Sequence, residues 1–128
     1  MKYIVIVTGV LFLLTLGVTA AEVIAQRGRL VHSVFFKFKE TATKEQIATV
    51  EKDFRALKAK IPGIITLESG MNVSPEKHDK GFTHAFILTF ATDKDRDVYL
   101  VHPAHKAFGD SLGAVLADAF VIDFWAKE

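Results

Sequence analysis

Apolar and polar residues alternate along two stretches of the chain, in the way that a half-buried β-strand requires. The first stretch begins at Leu30, and the second ends at Phe90. Each has one strongly apolar face, and each of these faces includes a histidine. Their members are His32, Val34, Phe36 and Phe38 in the first stretch, and Phe82, His84, Phe86, Leu88 and Phe90 in the second.

Between these strands the spacing of the apolar residues changes to that of a helix. Thr43 and Gln46 stand three residues apart, as in a capping box, and Pro62-Gly63 ends the pattern. Residues 64–73 then predict another strand, in which Gly70 marks a bulge. The apolar stripe of the helix consists of Ile47, Val50, Phe54, Leu57 and Ile61.

A proline divides the next helical region in two. Proline disfavours helix at the preceding residue but is tolerated in the first turn of a helix, so Pro103 ends one helix near His102 and starts another. The first helix, capped by Thr92 or Asp93, carries Tyr99. The second runs to about residue 117, and we assign Pro103 and His102 a structural role at the break.

A final strand is predicted over residues 119–125, so the order is strand, helix, strand, strand, helix pair, strand. This is the split βαβ, ferredoxin-like arrangement of an α+β protein. Right-handed connections place all helices on one side of the sheet, and the first and third strands become central neighbours. The other side of the sheet would be bare and apolar, which indicates a homodimer that packs sheet against sheet. The residues expected there are Phe35, Ile87, Val121 and Trp125.

The same arrangement groups several polar rings. His105 shares a helical stripe with Phe108, so its ring should point into the protein. His32 and His84 would face it from the central strands, and we expect the three imidazoles to converge beside Tyr99. We expect Phe86 and Phe108, which lie on the same apolar faces, to line a pocket there for a small apolar molecule.

Composition narrows the range of functions. The formal net charge of +1 comes from interspersed charges, which argues against nucleic-acid binding. The chain has no cysteine, so it has no disulfide framework. Residues 1–25 have the layout of a signal peptide, because an apolar run follows Lys2 and small residues follow the run. An uncleaved membrane anchor is the alternative, so we expect an exported or membrane-anchored protein.

His32-Ser33-Val34-Phe35, Gly81-Phe82-Thr83-His84 and above all Tyr99-x-x-His102-Pro103-Ala104-His105-x-x-Phe108 resemble the stress-responsive α/β barrel domain (Dabb) family. The resemblance implies a domain over residues 30–126 and a dimeric α+β barrel of ferredoxin-like protomers. It is greatest to a plant polyketide cyclase that works by intramolecular aldol condensation without a metal or an organic cofactor. By this resemblance His105 would be the acid and base, Tyr99 would polarise a carbonyl, and His32 and His84 would line the pocket.

Three functional classes remain open at this point. The first is an acid–base enzyme that acts on a carbonyl compound, because histidine titrates near neutral pH. The second is a binding or stress-response module with the same pocket and no turnover. The third is a metal or haem site held by the imidazoles, which we disfavour because His102 and His105 are three residues apart, not four, and the motif lacks a carboxylate.

Overall fold

A single antiparallel sheet with helices on one side forms the body of the protein. The computed structural model describes residues 17, 19 and 28–127. The predicted order of elements is confirmed, with a short 3₁₀ turn (Leu112–Ala114) before the last strand. The elements are β1 (Leu30–Phe38), α1 (Lys44–Lys60), β2 (Thr66–Met71), β3 (His84–Phe90), α2 (Asp93–Val101), α3 (Pro103–Ser111) and β4 (Leu116–Trp125).

The four strands lie in the order β2-β3-β1-β4, so β1 and β3 are the central pair, as predicted. Leu88 is opposite His32, and His84 is opposite Phe36. Residues that face one another across an antiparallel pair point to the same side of the sheet. Both histidines therefore lie on the side that the helices cover, and the ferredoxin-like α+β fold is confirmed.

Helix α1 supplies much of the core under that side. Its capping box is present: the Gln46 amide donates to Thr43 Oγ1 at 3.2 Å, and the Thr43 amide donates to Gln46 Oε1 at 2.8 Å. The helix buries Val50, Phe54 and Leu57. The Phe54 ring stacks on Phe86 from β3 at 4.1 Å, which fixes the helix against the centre of the sheet.

The break between α2 and α3 lies at His102, as the proline predicts. His102 has an extended backbone, and its Nδ1 accepts a hydrogen bond from the Ala104 amide at 3.1 Å. Pro103 occupies the start of α3, where a missing amide proton has no cost.

The prediction that α3 continues to about residue 117 is wrong. It ends at Ser111, whose hydroxyl donates to the Phe108 carbonyl at 2.6 Å. Gly113 follows in the 3₁₀ turn, and glycine has a high entropic cost in a helix. The Val115 carbonyl then accepts a hydrogen bond from the Lys39 amide at 2.8 Å. This contact draws the chain back to the sheet, and β4 begins at Leu116.

The side assignments predicted for β4 are also wrong. Asp123 is opposite His32, so Val121 and Trp125 lie on the helix-covered side, where Trp125 packs against the core. The alternation also predicts Phe82 on the helix-covered side, but Phe82 precedes β3, and its ring centroid lies 6.1 Å from that of Phe120 on the other side.

The helix-free side is strongly apolar even so. Phe35 and Ile87 lie on it, as predicted. Val121 and Trp125 do not, and the alternate residues of β4, which are about half exposed, lie there instead. We call this surface the open face and define it by Phe35, Ile87, Phe120, Ile122 and Phe124.

The predicted export segment, residues 1–25, lies outside the described residues apart from 17 and 19. In the part of the chain that the structure describes, none of the helices has the length and apolar character needed to span a bilayer.

Candidate functional site

Tyr99 lies at the centre of a group of rings between α2, α3 and the sheet. Its side chain is 1% exposed. Its ring centroid lies 4.4 Å from that of His105 and 5.5 Å from that of His32. Phe90 closes a further side at 5.4 Å. A phenol and two imidazoles therefore share one small, mostly apolar space.

His105 stands in the first turn of α3, directly after the proline break. Its Nδ1 lies 3.1 Å from the Leu100 carbonyl oxygen, which can only accept a hydrogen bond. The proton of the neutral ring is therefore on Nδ1, and Nε2 presents a lone pair. Burial lowers the pKa of His105, and the nearby His32 acts in the same direction, while the bond to Leu100 opposes them. The ring is thus a neutral base at neutral pH.

His32 is held by a carboxylate on the neighbouring strand. Its Nδ1 lies 2.6 Å from Oδ1 of Asp123. The second carboxylate oxygen of Asp123 accepts a hydrogen bond from the Arg96 guanidinium, and Arg96 Nε donates to Asp97 at 2.7 Å. The contacts with Asp97 and Asp123 raise the pKa of Arg96. The His32 ring thereby has a fixed orientation against Tyr99.

The Tyr99 hydroxyl keeps its proton. Burial, and to a smaller extent the charge of Asp123, raises the pKa of the phenol above its ordinary value. Within residues 28–127 the hydroxyl has no hydrogen-bond partner, although no fully buried side-chain polar atom there lacks one. Its oxygen is therefore not completely enclosed, although the residue as a whole is 1% exposed.

The structure separates His84 from the other two histidines. It lies opposite Phe36, four residues along β1 from His32, or about 13 Å at the usual rise of a strand. Its Nδ1 is 2.8 Å from Thr83 Oγ1, and its Nε2 is 3.6 Å from a Glu51 oxygen. The predicted convergence of three imidazoles is therefore wrong for His84.

Phe86 and Phe108, predicted to line the pocket, both lie in the core. Phe86 is 1% exposed, and both rings contact Phe54, at 4.1 and 4.9 Å. Of the residues predicted for the site, the structure thus brings together Tyr99, His105 and His32.

The site includes two residues, Asp123 and Arg96, that the sequence analysis does not predict. Asp123 is an isolated charge in an otherwise apolar run from Phe120 to Trp125, a signal that marks a carboxylate with a buried partner. The predicted side assignment of β4 concealed it. Arg96 carries no comparable signal, because it lies in the charged first turns of α2.

Neither a metal centre nor a cavity coincides with the pair formed by Tyr99 and His105 in the described part of the chain. No group of three histidine or carboxylate side chains suited to a metal ion occurs in the described part of the chain. A cavity of about 560 Å³ lies at the end of the sheet beside Phe82, and a groove of about 240 Å³ lies between α1 and α3. Neither is lined by Tyr99 or His105.

Comparison with known proteins gives relatives over nearly the whole described region. Residues 30–126 match the family model for the stress responsive A/B barrel domain, Dabb. The chain is 28% identical over 97 residues to olivetolic acid cyclase from Cannabis sativa, covering 76% of this chain and 96% of the cyclase. It is 32% identical over 96 residues to a stress-response A/B barrel domain-containing protein of Arabidopsis thaliana, covering 73% and 82%.

A solved structure has the same fold. A dimeric protein of unknown function with a ferredoxin-like fold, from Bacteroides fragilis, is 28% identical and superimposes with a TM-score of 0.63. The match covers 77% of this chain and 97% of that protein.

Proposed function

Since the chain belongs to the stress-responsive A/B barrel (Dabb) family, we propose that it is an enzyme that moves a proton on a small apolar carbonyl compound. The observation that carries the proposal is the pairing of His105 with Tyr99 at 4.4 Å. One ring is a neutral base and the other a protonated phenol, which are the two groups that enolisation needs. The similarity to olivetolic acid cyclase supports an enzymatic reading.

In the proposed reaction His105 is the general base. Its Nε2 lone pair accepts the proton from the carbon next to the carbonyl, and the electron pair of that C–H bond moves onto the carbonyl oxygen. Because Nδ1 donates to the Leu100 carbonyl, the positive charge that develops on the ring is stabilised where it forms. The enolate carbon can then take back a proton or attack a second carbonyl.

Tyr99 stabilises the enolate oxygen. Its phenol remains protonated at neutral pH and donates a hydrogen bond to the oxygen as negative charge develops. His32, held by Asp123, packs on the phenol ring and positions it. Apolar neighbours such as Phe90 favour a substrate with little charge.

The test uses pentane-2,4-dione, whose central carbon exchanges protons through an enolate. Exchange in deuterated buffer is followed by NMR for the full chain, His105→Gln and Tyr99→Phe. We expect His105→Gln to lose on the order of 10²- to 10⁴-fold of the protein-dependent rate. Lys106→Gln, which changes an exposed neighbour on α3, is the matched control and should keep that rate.

A protein-dependent rate that survives in His105→Gln, or none in the unaltered chain, contradicts the proposal. The second result favours the alternative of a binding module without turnover. Binding of the dione without exchange would identify that alternative directly.

We also propose that the protein is a homodimer that packs through the open face. Phe120 and Phe124 are about half exposed there, and a contiguous apolar surface of this kind is typical of an interface. A stable interface buries roughly 800 Å² on each partner, which a four-stranded sheet can supply. The dimeric relative from Bacteroides fragilis supports the same state.

Export remains a proposal that follows from the pattern of residues 1–25. N-terminal sequencing of the protein from its native host should find a start after Ala20 or close to Ala25. A soluble cytoplasmic protein that retains Met1 would contradict it.

A further inference from the structure

The two histidines on either side of Pro103 hold their ring protons on different nitrogens. His102 Nδ1 accepts a hydrogen bond from the Ala104 amide at 3.1 Å, so the proton of the neutral ring is on Nε2. His105 Nδ1 lies 3.1 Å from the Leu100 carbonyl oxygen and donates to it, so its own proton is on Nδ1. The break between α2 and α3 thus fixes the two rings in opposite tautomers.

The Leu100 carbonyl can accept from a side chain because its usual backbone partner is bound elsewhere. In a continuous α-helix this carbonyl accepts from the amide four residues ahead, which is that of Ala104. The His102 ring takes that amide instead. The preceding carbonyl, of Tyr99, would have Pro103 as its helical partner, which has no amide proton, and it accepts from the His102 amide at 3.2 Å.

The same ring fixes the direction in which α3 leaves the break. His102 has an extended backbone, with ψ 137°, and it caps the amide of the second residue of α3, as an N-cap side chain does. A backbone hydrogen bond from the Lys106 amide to the His102 carbonyl, at 3.0 Å, closes the first turn. His105 stands inside this turn. Its ring therefore reaches back to the Leu100 carbonyl, and its centroid lies 4.4 Å from that of Tyr99.

We infer that His102 is a positioning residue for the base: by binding the amide that follows the proline, its Nδ1 leaves the Leu100 carbonyl to hold His105 with Nε2 unprotonated. The part of this inference that concerns reaction rate rests on the proposed function, because His102 acts through His105. The control of the tautomer does not. His102 supplies a hydrogen-bond acceptor, not a second base, so another neutral side chain that caps a helix should replace it.

NMR of the full chain with isotope-labelled histidine measures the tautomer of each ring, at about pH 8, where histidine is mostly neutral. We expect the proton of His102 on Nε2 and that of His105 on Nδ1. His102→Leu removes the acceptor, and the His105 proton should then distribute between both nitrogens. His102→Asn, whose side-chain oxygen can cap the same amide, should restore the pattern of the unaltered chain. The matched control is His78→Leu, the same substitution at an exposed histidine in the loop before β3, and it should leave His105 unchanged.

Proton exchange of pentane-2,4-dione connects the tautomer with the rate. His102→Leu should lose roughly ten- to a hundredfold of the protein-dependent rate, because the base is no longer held in one orientation. His102→Asn and His78→Leu should keep most of it. Circular dichroism checks that each variant is folded.

The inference is overturned if the unaltered chain carries the His102 proton on Nδ1, or if His102→Asn loses the His105 tautomer; neither result depends on whether His102→Leu folds. It is also overturned if a folded His102→Leu keeps the His105 proton on Nδ1. If the tautomers change as expected but the unaltered chain exchanges no protons of the dione, the proposed function is contradicted while the control of the His105 tautomer by His102 is supported.

Discussion

The Nδ1 atom of His32 lies 2.6 Å from Oδ1 of Asp123, which joins a buried ring on β1 to a carboxylate on the edge strand β4. Asp123 also accepts a hydrogen bond from Arg96 on α2. The carboxylate therefore ties three elements together at the place where His32 packs on Tyr99. Asp123 is a positioning residue, because it acts on the phenol through the ring that it holds.

Asp123→Asn should destabilise the protein. The amide has the shape of the carboxylate but lacks its negative charge, and that charge contacts both His32 and Arg96. The side chain is 24% exposed and His32 is 6% exposed, so the loss is only partly screened by water. Hydrogen bonds to charged groups are worth about 1.5–3 kcal/mol, and we expect a decrease of this size in the free energy of unfolding. Urea denaturation followed by circular dichroism measures it.

The control for this change is Asp118→Asn, an exposed carboxylate on the same strand that accepts a hydrogen bond from the adjacent Ala119 amide. Its effect should stay within about 0.5 kcal/mol. Equal losses in the two variants would show that Asp123 has no special role.

This pair also shows where inference from the sequence succeeds and where it stops. The period of two in β1 and β3 predicted which residues share a face with His32 and His84, and the order of elements predicted that these strands are central. Periodicity gives no position along a strand, however, so it could not reveal that His84 lies four residues away from His32. That position depends on the register.

The orientation of β4 could not be predicted from the sequence either. Its residues from Phe120 to Phe124 are apolar on both sides except for Asp123, so alternation alone could not orient it. The pairing of Asp123 with His32 fixes its orientation. The proline break at His102, in contrast, was predictable because Pro103 constrains the backbone locally, whatever the tertiary contacts.

The stability of the protein should depend on pH through His105. Burial lowers the pKa of this ring below its ordinary 6.5, so the unfolded chain binds the proton at a higher pH than the folded chain does. Stability therefore falls as the pH drops below about 6.5, until the folded ring is protonated as well. His105→Gln removes this contribution and should lose less stability than the unaltered chain between about pH 7.5 and about pH 5.5.

Urea denaturation at the two pH values measures the difference. The other four histidines are present in both proteins, but His32 interacts with His105, so the comparison reports on this pair of rings. If the variant loses as much stability on acidification as the unaltered chain, the ring at position 105 is not shifted by burial, and its role as a neutral base loses support.

Ile122→Glu should weaken the proposed dimer, because it places a charge on the open face. The adjacent Val121 provides a close control: Ile122 is 45% exposed and Val121 is 50% exposed, but they point to opposite sides of β4. Val121→Glu should leave the dimer intact. Light scattering over a range of concentrations measures the mass of each protein, and equal behaviour of the two variants would contradict packing through the open face.

Tyr99→Phe should separate the stability of the site from its chemistry. The substitution keeps the ring that packs between His32 and His105 and removes only the hydroxyl, which has no hydrogen-bond partner within residues 28–127. The free energy of unfolding should therefore change by less than about 1 kcal/mol, whereas Phe86→Ala, a truncation in the core, should lose about 3–5 kcal/mol. In the exchange assay with pentane-2,4-dione the same Tyr99→Phe protein should lose most of its rate, because the enolate oxygen no longer has its donor. A purely structural tyrosine gives the opposite result, in which the rate persists as long as the fold does, and that outcome would remove Tyr99 from the proposed reaction.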